Sequence, residues 1–256
     1  WRLMVSPAIT ALKPKLPCLC RSCRRNLQGE LSLKKITVVI PAYNEEERIT
    51  ATVQAIKSLP LEVQIIVVND GSGDNTSRRA REQGVKVIDL KSNRGKGGAM
   101  NAAVPWLDTD IVAFIDGDLG SSAAEAYKII EPVLNNQCDL CIASFPPPTK
   151  KGGFGLVKGT AARAIRKAGN IEVNAPLSGQ RAMTREVLQA VTPFAEAYGV
   201  ELGMSIRALR QGFRIMEVPT TMSHNETGRD LRGFIHRGKQ FLDVLRVISK
   251  ETRGSI

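Results

Sequence analysis

The chain has 256 residues, 43% hydrophobic and 24% charged, a globular composition sufficient for one large α/β domain or two small ones. No apolar run approaches the roughly 20 residues that cross a bilayer, so the sequence reads as a soluble, cytoplasmic protein. Its net charge of +11 gathers at the ends, with eight Lys or Arg against Glu30 in residues 1–35 and seven against four acids in residues 223–256. The near-neutral body argues against a nucleic-acid binder, which would carry a basic stripe on its folded surface. The basic ends read as solvated tails or as segments drawn to anionic surfaces.

Residues 1–34 show no clear period and carry Pro7, Pro14 and Pro17. Lys13 and Pro14 interrupt the apolar stretch too early for a signal peptide. Cys18, Cys20 and Cys23 resemble a metal knuckle without a nearby fourth ligand, and a basic extension is the simpler reading. From Lys35 the pattern becomes regular. "KITVVIP" is a buried strand, and "NEEERITATVQAIKSL" a helix that Asn44 is expected to cap. "EVQIIVVND" is a second strand, followed by a turn and a helix closed by Gly84. "VKVIDL" is a third strand, and "GKGGAMNAAVPW" begins a helix that Pro105 ends or kinks. "DIVAFID", a helix over "SAAEAYKIIEPVL" and the strand "CDLCIASF" complete the alternation. Cys138 and Cys141 in that last strand read as packing thiols of a reducing compartment rather than a redox pair.

Continuous apolar strands alternating with helices imply a largely parallel sheet covered on both faces. Such sheets bind ligands at the C-terminal ends of their strands. The polar clusters Pro41–Glu45, Asn69–Gly73, Asn93–Gly98 and Asp116–Asp118 all fall there. After Phe145 the alternation fails. A basic helix is expected over 156–168, a helix from about Val200 to Gln211, the strand "FRIMEVP", and a basic amphipathic helix at the end. Leu231, Phe234, Phe241, Leu245 and Ile248 lie near one face of that last helix, suited to docking on the core or to membrane contact.

"GSGDNT" lacks the third glycine of a dinucleotide loop, and "GKGG" lacks the full phosphate loop of an ATPase. Asp116 and Asp118 are a better clue. In extended chain they would point to a common side, and two hard oxygen ligands suit Mg2+ or Mn2+ with diphosphate oxygens and water. The alternative is a turn in which an aspartate caps the following helix.

"VVIPAYNEEERI", "VVNDGSGDNT", "NRGKGGAMNAAV" and "FIDGDLG", in this order and spacing, resemble the family 2 nucleotide-sugar glycosyltransferases of the GT-A fold. That fold is α/β, with a Rossmann-like nucleotide-binding half on a mostly parallel central sheet and an acceptor-binding C-terminal half. Beyond this stretch, "APLSGQRAMTREVL", "YGVELGMSIRALRQGFRIMEVP" and the "SHNETGRDL" region resemble the glucosyl-3-phosphoglycerate synthases. The resemblance implies a basic extension over 1–34, a nucleotide-sugar-binding half over 35–145 and an acceptor-binding half over 146–256, with 35–256 as one domain. It places Pro41, Ala42 and Glu45 in the uridine pocket, Asp70 near the base edge, and Lys96 on the nucleotide or its diphosphate. Asp116, Asp118 and His224 would hold the metal. Leu177 and Gly179 would lie against the donor sugar, and Glu201 near its hydroxyls, where a carboxylate stabilises oxocarbenium-like charge.

The implied activity is metal-dependent, retaining transfer of a sugar, glucose in the first instance, from a UDP-sugar to a small phosphorylated acceptor such as 3-phosphoglycerate. Asp118 and Glu201 would be its catalytic residues. The alternatives are a polyprenyl-phosphate glycosyltransferase with the C-terminal helix on the membrane, and a non-catalytic nucleotide-sugar-binding protein. Relatives often pair into homodimers. Two departures matter. Gly155 and Val157 align where the synthases carry Arg and Thr for the acceptor phosphate, leaving Lys150, Lys151 or Lys158 as point charges. Gln180 stands where an acid is common.

Overall fold

The computed structural model describes residues 23–25, 31–145, 155–195, 199–222, 245–249 and 251. Within the basic extension, β1 (Cys23–Arg25) pairs antiparallel with β2 (Leu31–Leu33). Cys18 and Cys20 lie outside the described residues.

The body is built on a seven-stranded sheet. Its strands are β3 (Ile36–Ala42), β4 (Gln64–Asn69), β5 (Lys86–Asp89), β6 (Ile111–Phe114), β7 (Leu140–Ser144), β8 (Arg181–Thr184) and β9 (Ile215–Pro219). They lie in the order β5-β4-β3-β6-β8-β7-β9. All run parallel except β8, which is antiparallel to both of its neighbours. Val38, Val39 and Ile40 of β3, and all of β6, are buried because helices cover both faces of the sheet.

Of the helices, α1 (Ile49–Lys57) turns Ile49, Thr52, Val53 and Ile56 onto the sheet at helical spacing. The next two, α2 (Thr76–Glu82) and α3 (Gly95–Ala103), follow β4 and β5, and Pro105 sits in a 3-10 turn that ends α3. A 3-10 turn over Gly120–Glu125 leads into α4 (Ala126–Leu134), which packs with α1 against one face. The other face is covered by α3, α6 (Arg185–Val191) and α7 (Val200–Arg210). A third cluster joins α5 (Gly155–Gly169) to α7.

Two local expectations change. Asn44 does not cap α1, whose N-cap is Arg48. Asn44 has φ +55°, and its Oδ1 accepts from the Gly73 amide at 2.9 Å, so residues 44–48 form a turn before the helix begins. Asp116 and Asp118 lie beyond β6, which ends at Phe114, and Gly117 and Asp118 are in a turn rather than extended chain.

The topology explains the turn around Asp116. Arg181, at the start of β8, pairs with Phe114, at the end of β6. A strand running down from the C-terminal edge must be entered from that edge, so the segment before β8 is delivered beside Asp116.

Among the described residues no helix is long and apolar enough to cross a membrane. Most of the expected C-terminal amphipathic helix, its residues 228–244, lies outside the described residues. Its last part, 245–249, is helical, and Val247 and Ile248 join the cluster formed by α5 and α7. Glu251 pairs with Arg207 of α7 at 2.8 Å and accepts through its carbonyl from Arg210. Arg207 also donates to the carbonyls of Val191 and Pro193, at 2.9 and 2.7 Å. A charged hydrogen bond this sheltered contributes about 1.5–3 kcal/mol. Glu251→Ala is therefore expected to lower the thermal midpoint by several degrees, measured by differential scanning calorimetry. An unchanged midpoint would mean the segment does not dock.

Candidate active site

Two loops at the sheet's C-terminal edge clasp each other. The Asn44 amide donates to Ser72 Oγ at 3.0 Å, and that of Glu45 to Thr76 Oγ1 at 2.8 Å. Glu46 donates to Asp74 Oδ2 at 3.2 Å, and its own carboxylate accepts from the Asn75 amide at 2.9 Å. These reciprocal bonds fix residues 43–47, after β3, against 71–76, after β4. The neighbouring turn is equally close-packed: Gly71 has φ +72°, and a Cβ there would lie 2.6 Å from the Ser92 carbonyl carbon. Asp70 is buried, and its Oδ1 accepts from the Arg94 amide at 2.8 Å. Burial raises its pKa, against the lowering effect of the Arg94 and Gly95 amides. Pro41, Ala42, Glu45 and Asp70 thus line one end of a common edge.

Lys96 stands at its centre, in the first turn of α3. Its Nζ is 2.5 Å from Asp116 Oδ1 and 3.3 Å from Glu201 Oε1, in the first turn of α7. Burial works to strip its proton, but the two carboxylates outweigh that and hold its pKa above the ordinary lysine range. Asp116 is also gripped by Gln180, which accepts from the Asp116 amide at 2.9 Å and donates through Nε2 to Oδ2 at 2.6 Å. An ionised acid at 180 could accept but not donate. Gly179 fits because it has no side chain: a Cβ there would lie 2.1 Å from Lys96 Nζ and 2.8 Å from Asp116 Oδ2.

The turn carrying Asp118 is nailed to α1. Thr52 Oγ1 donates to the Gly117 carbonyl and accepts from the Gly120 amide, both at 2.9 Å, and Arg48 donates to the Asp118 carbonyl at 3.0 Å. The 3-10 turn that follows has Leu119 at its N-cap and no side-chain cap bond from it. Burial first, then the charges of Asp118, Asp74 and Asp116, push the Glu45 carboxyl up to about 7, against the pull of Arg48. Acids crowded enough to raise one another's proton affinity form an oxygen-rich edge suited to a hard divalent cation. Among the described residues no three His, Cys, Asp or Glu side chains converge into a ligand shell. His224, the expected third ligand, lies outside the described residues.

Residues 174–180 bring Leu177 and Gly179 to the same edge. Glu217 of β9 accepts from the amides of Asn174 and Ala175 at 2.8 and 2.6 Å. Arg181, fully buried, donates to the carbonyls of Ser178 at 2.8 Å and Pro176 at 3.1 Å, and to Ser205 Oγ at 2.8 Å. Sequence reasoning missed Arg181, Glu217, Thr52 and Arg48. One signal was available, a cation opening the short strand "RAMT" that otherwise holds small and apolar residues.

The sequence model described as Glycosyl transferase family 2 matches residues 37–190. The chain is 33% identical over 203 residues to the glucosyl-3-phosphoglycerate synthase of Mycolicibacterium smegmatis, covering 71% of this chain and 66% of that one, just under two thirds of its length. It is 29% identical over 213 residues to the undecaprenyl-phosphate mannosyltransferase of Micrococcus luteus, covering 76% of this chain and 86% of that one. The crystal structure of Mycobacterium tuberculosis glucosyl-3-phosphoglycerate synthase in complex with Mn2+, UDP and glucosyl-3-phosphoglycerate superposes with a TM-score of 0.68 at 27% identity, covering 85% of this chain and 80% of that one. A family match over more than half of the chain, on a sheet of the same fold with its acidic and basic side chains gathered at one edge, leads to one conclusion: the chain belongs to glycosyl transferase family 2.

Proposed function

We propose that this chain transfers a hexosyl group, glucose in the first instance, from a UDP-sugar to a small phosphorylated acceptor such as 3-phosphoglycerate, with retention at the anomeric carbon. The observation that carries the reading is Lys96 held between Asp116 and Glu201 beside Gly179, where the loops from four strands meet. The similar mycobacterial synthase, crystallised with Mn2+, UDP and glucosyl-3-phosphoglycerate, supports the donor and acceptor classes.

Pro41, Ala42, Glu45 and Asp70 line the nucleoside end, where the clasped loops exclude water from the base. Lys96 supplies a fixed positive charge to the diphosphate. Asp116 and Asp118, with His224, would hold Mg2+ or Mn2+, whose chemistry when bound is to neutralise charge gathering on the departing diphosphate. Leu177 and Gly179 lie against the sugar. Glu201 binds its hydroxyls and stabilises positive charge at the anomeric carbon. No side chain need act as nucleophile, since the acceptor attacks on the face the diphosphate leaves and its proton passes to that leaving group. Cys138 and Cys141, free and buried, suit a reducing, cytoplasmic location.

A lipid-phosphate acceptor is the second reading. It is favoured by the match along 86% of the undecaprenyl-phosphate mannosyltransferase and by the synthase departures at Gly155 and Val157. Purified protein with UDP-glucose, Mn2+ and 3-phosphoglycerate, free of lipid, is expected to release UDP and form a glucosylated acceptor. Release only when polyprenyl phosphate is added would select the second reading.

Asp118→Ala is expected to lower turnover more than about a hundredfold, given the several kcal/mol of charge stabilisation a metal supplies, with an unchanged thermal midpoint. Undiminished turnover would remove Asp118 from the metal site. Glu45 gives a pH signature in chelator-treated protein. Its carboxyl is pushed up to about 7 in the fold from the 4.5 of a free glutamate, so between those values the folded state holds more protons than the unfolded. Stability from this group is therefore expected to fall as pH rises from about 4.5 to about 7 and then level off. Thermal melts across that range should show the decline, and Glu45→Gln should flatten it.

A further inference from the structure

We propose that Arg181, set behind the cleft, is a positioning residue that fixes the sugar end of the donor site by joining residues 174–180 to α7. The inference rests on the transferase reading above and deepens it. Arg181 has no exposed surface, and its described acceptors are two loop carbonyls and a hydroxyl rather than a carboxylate. A buried guanidinium is costly unless its donors are met, and an apolar side chain would fill the same space at lower cost. Burial lowers its pKa to about 10, against the charges of Glu201 and Glu217, so it remains a cation at neutral pH. Its place in the fold calls for a role that packing alone does not supply.

The bonds supply one. By taking the carbonyls of Pro176 and Ser178, on either side of Leu177, Arg181 fixes the conformation that presents Leu177 and Gly179. Glu217 holds the start of the same segment through the amides of Asn174 and Ala175, so it is stretched between a buried cation and an anion. The third bond runs to Ser205 Oγ, which in turn donates to the Glu201 carbonyl at 3.0 Å. At the far end of the segment, Gln180 orients Asp116. The path Glu201–Ser205–Arg181 therefore ties the segment facing the sugar to the helix that carries Glu201, while Asp116 keeps its own holds on Gln180 and Lys96. The nucleoside end depends on other bonds, those of the clasped loops after β3 and β4 and the seat of Asp70 on the Arg94 amide. Arg181 thus governs recognition of the sugar and leaves recognition of UDP alone.

The test compares wild type with Arg181→Lys, Arg181→Met and Ser205→Ala, measuring Mn2+-dependent affinity for UDP and UDP-glucose by calorimetry, together with kcat, KM and thermal midpoint. Ser205→Ala removes one bond and leaves Arg181 on the two loop carbonyls, so it is the milder variant if Arg181→Met does not fold. UDP affinity is expected to stay within about threefold of wild type in every folded variant. The preference for UDP-glucose over UDP is expected to vanish in Arg181→Lys, with kcat down about 10- to 100-fold, and to weaken about threefold in Ser205→Ala. A sugar held in the wrong place is read both as lost affinity for UDP-glucose and as a fall in kcat. Folded variants that keep the wild-type preference and kcat, or lose UDP and UDP-glucose affinity equally, would overturn the inference alone. Wild-type protein that binds neither ligand would overturn the transferase reading and this inference with it.

Discussion

The Lys96 ammonium stands between carboxylates contributed by two distant parts of the chain. Asp116 follows the β6 strand, and Glu201 opens α7 some 85 positions later in sequence. Glu45, Asp118 and Asp74 belong to the same neighbourhood, and burial first, then the charges of Asp118 and Asp74, raise the Glu45 pKa. A concentration of acid at a sheet edge is tolerable only where cations are held among them. Lys96 meets part of that demand, and its attachment to α3 makes the third strand–helix unit a structural partner of the second half of the chain.

The remaining geometry serves that meeting point. Thr52 and Arg48 anchor the Asp118 turn to α1, Gln180 turns the Asp116 carboxylate, and the absence of a side chain at Gly179 leaves room for the ammonium. Each device ties a loop residue to a helix or strand packed in the core. A site assembled from loops thereby acquires the rigidity of the sheet beneath it.

Much of this was legible in the sequence. Strands such as "ITVVIP" and "IIVVN" are continuous β-branched runs, and the acidic, Gly- and Asn-rich segments after them mark one edge of a parallel sheet. Three things were not. The start of α1 was misplaced because Asn44 offers a good cap, yet its side chain bonds Gly73 across space instead. β8 is four residues long and opens with arginine, so neither length nor alternation announces an inner strand. The proximity of Lys96 to Glu201 follows from how α3 and α7 pack on one face, which no local pattern encodes. The residue types at the site could be read, but not the bonds that orient them.

The insertion of β8 between β6 and β7 has a consequence for biosynthesis. A nascent chain that has emerged only as far as Ser144 holds β3, β4, β5, β6 and β7, yet β6 and β7 have no hydrogen-bonding partner in common until Arg181–Thr184 arrives. Until then two of the most apolar strands present bare margins, the kind of surface that recruits neighbouring chains. The loops at this edge therefore gain their completed platform only once Arg181–Thr184 has been made.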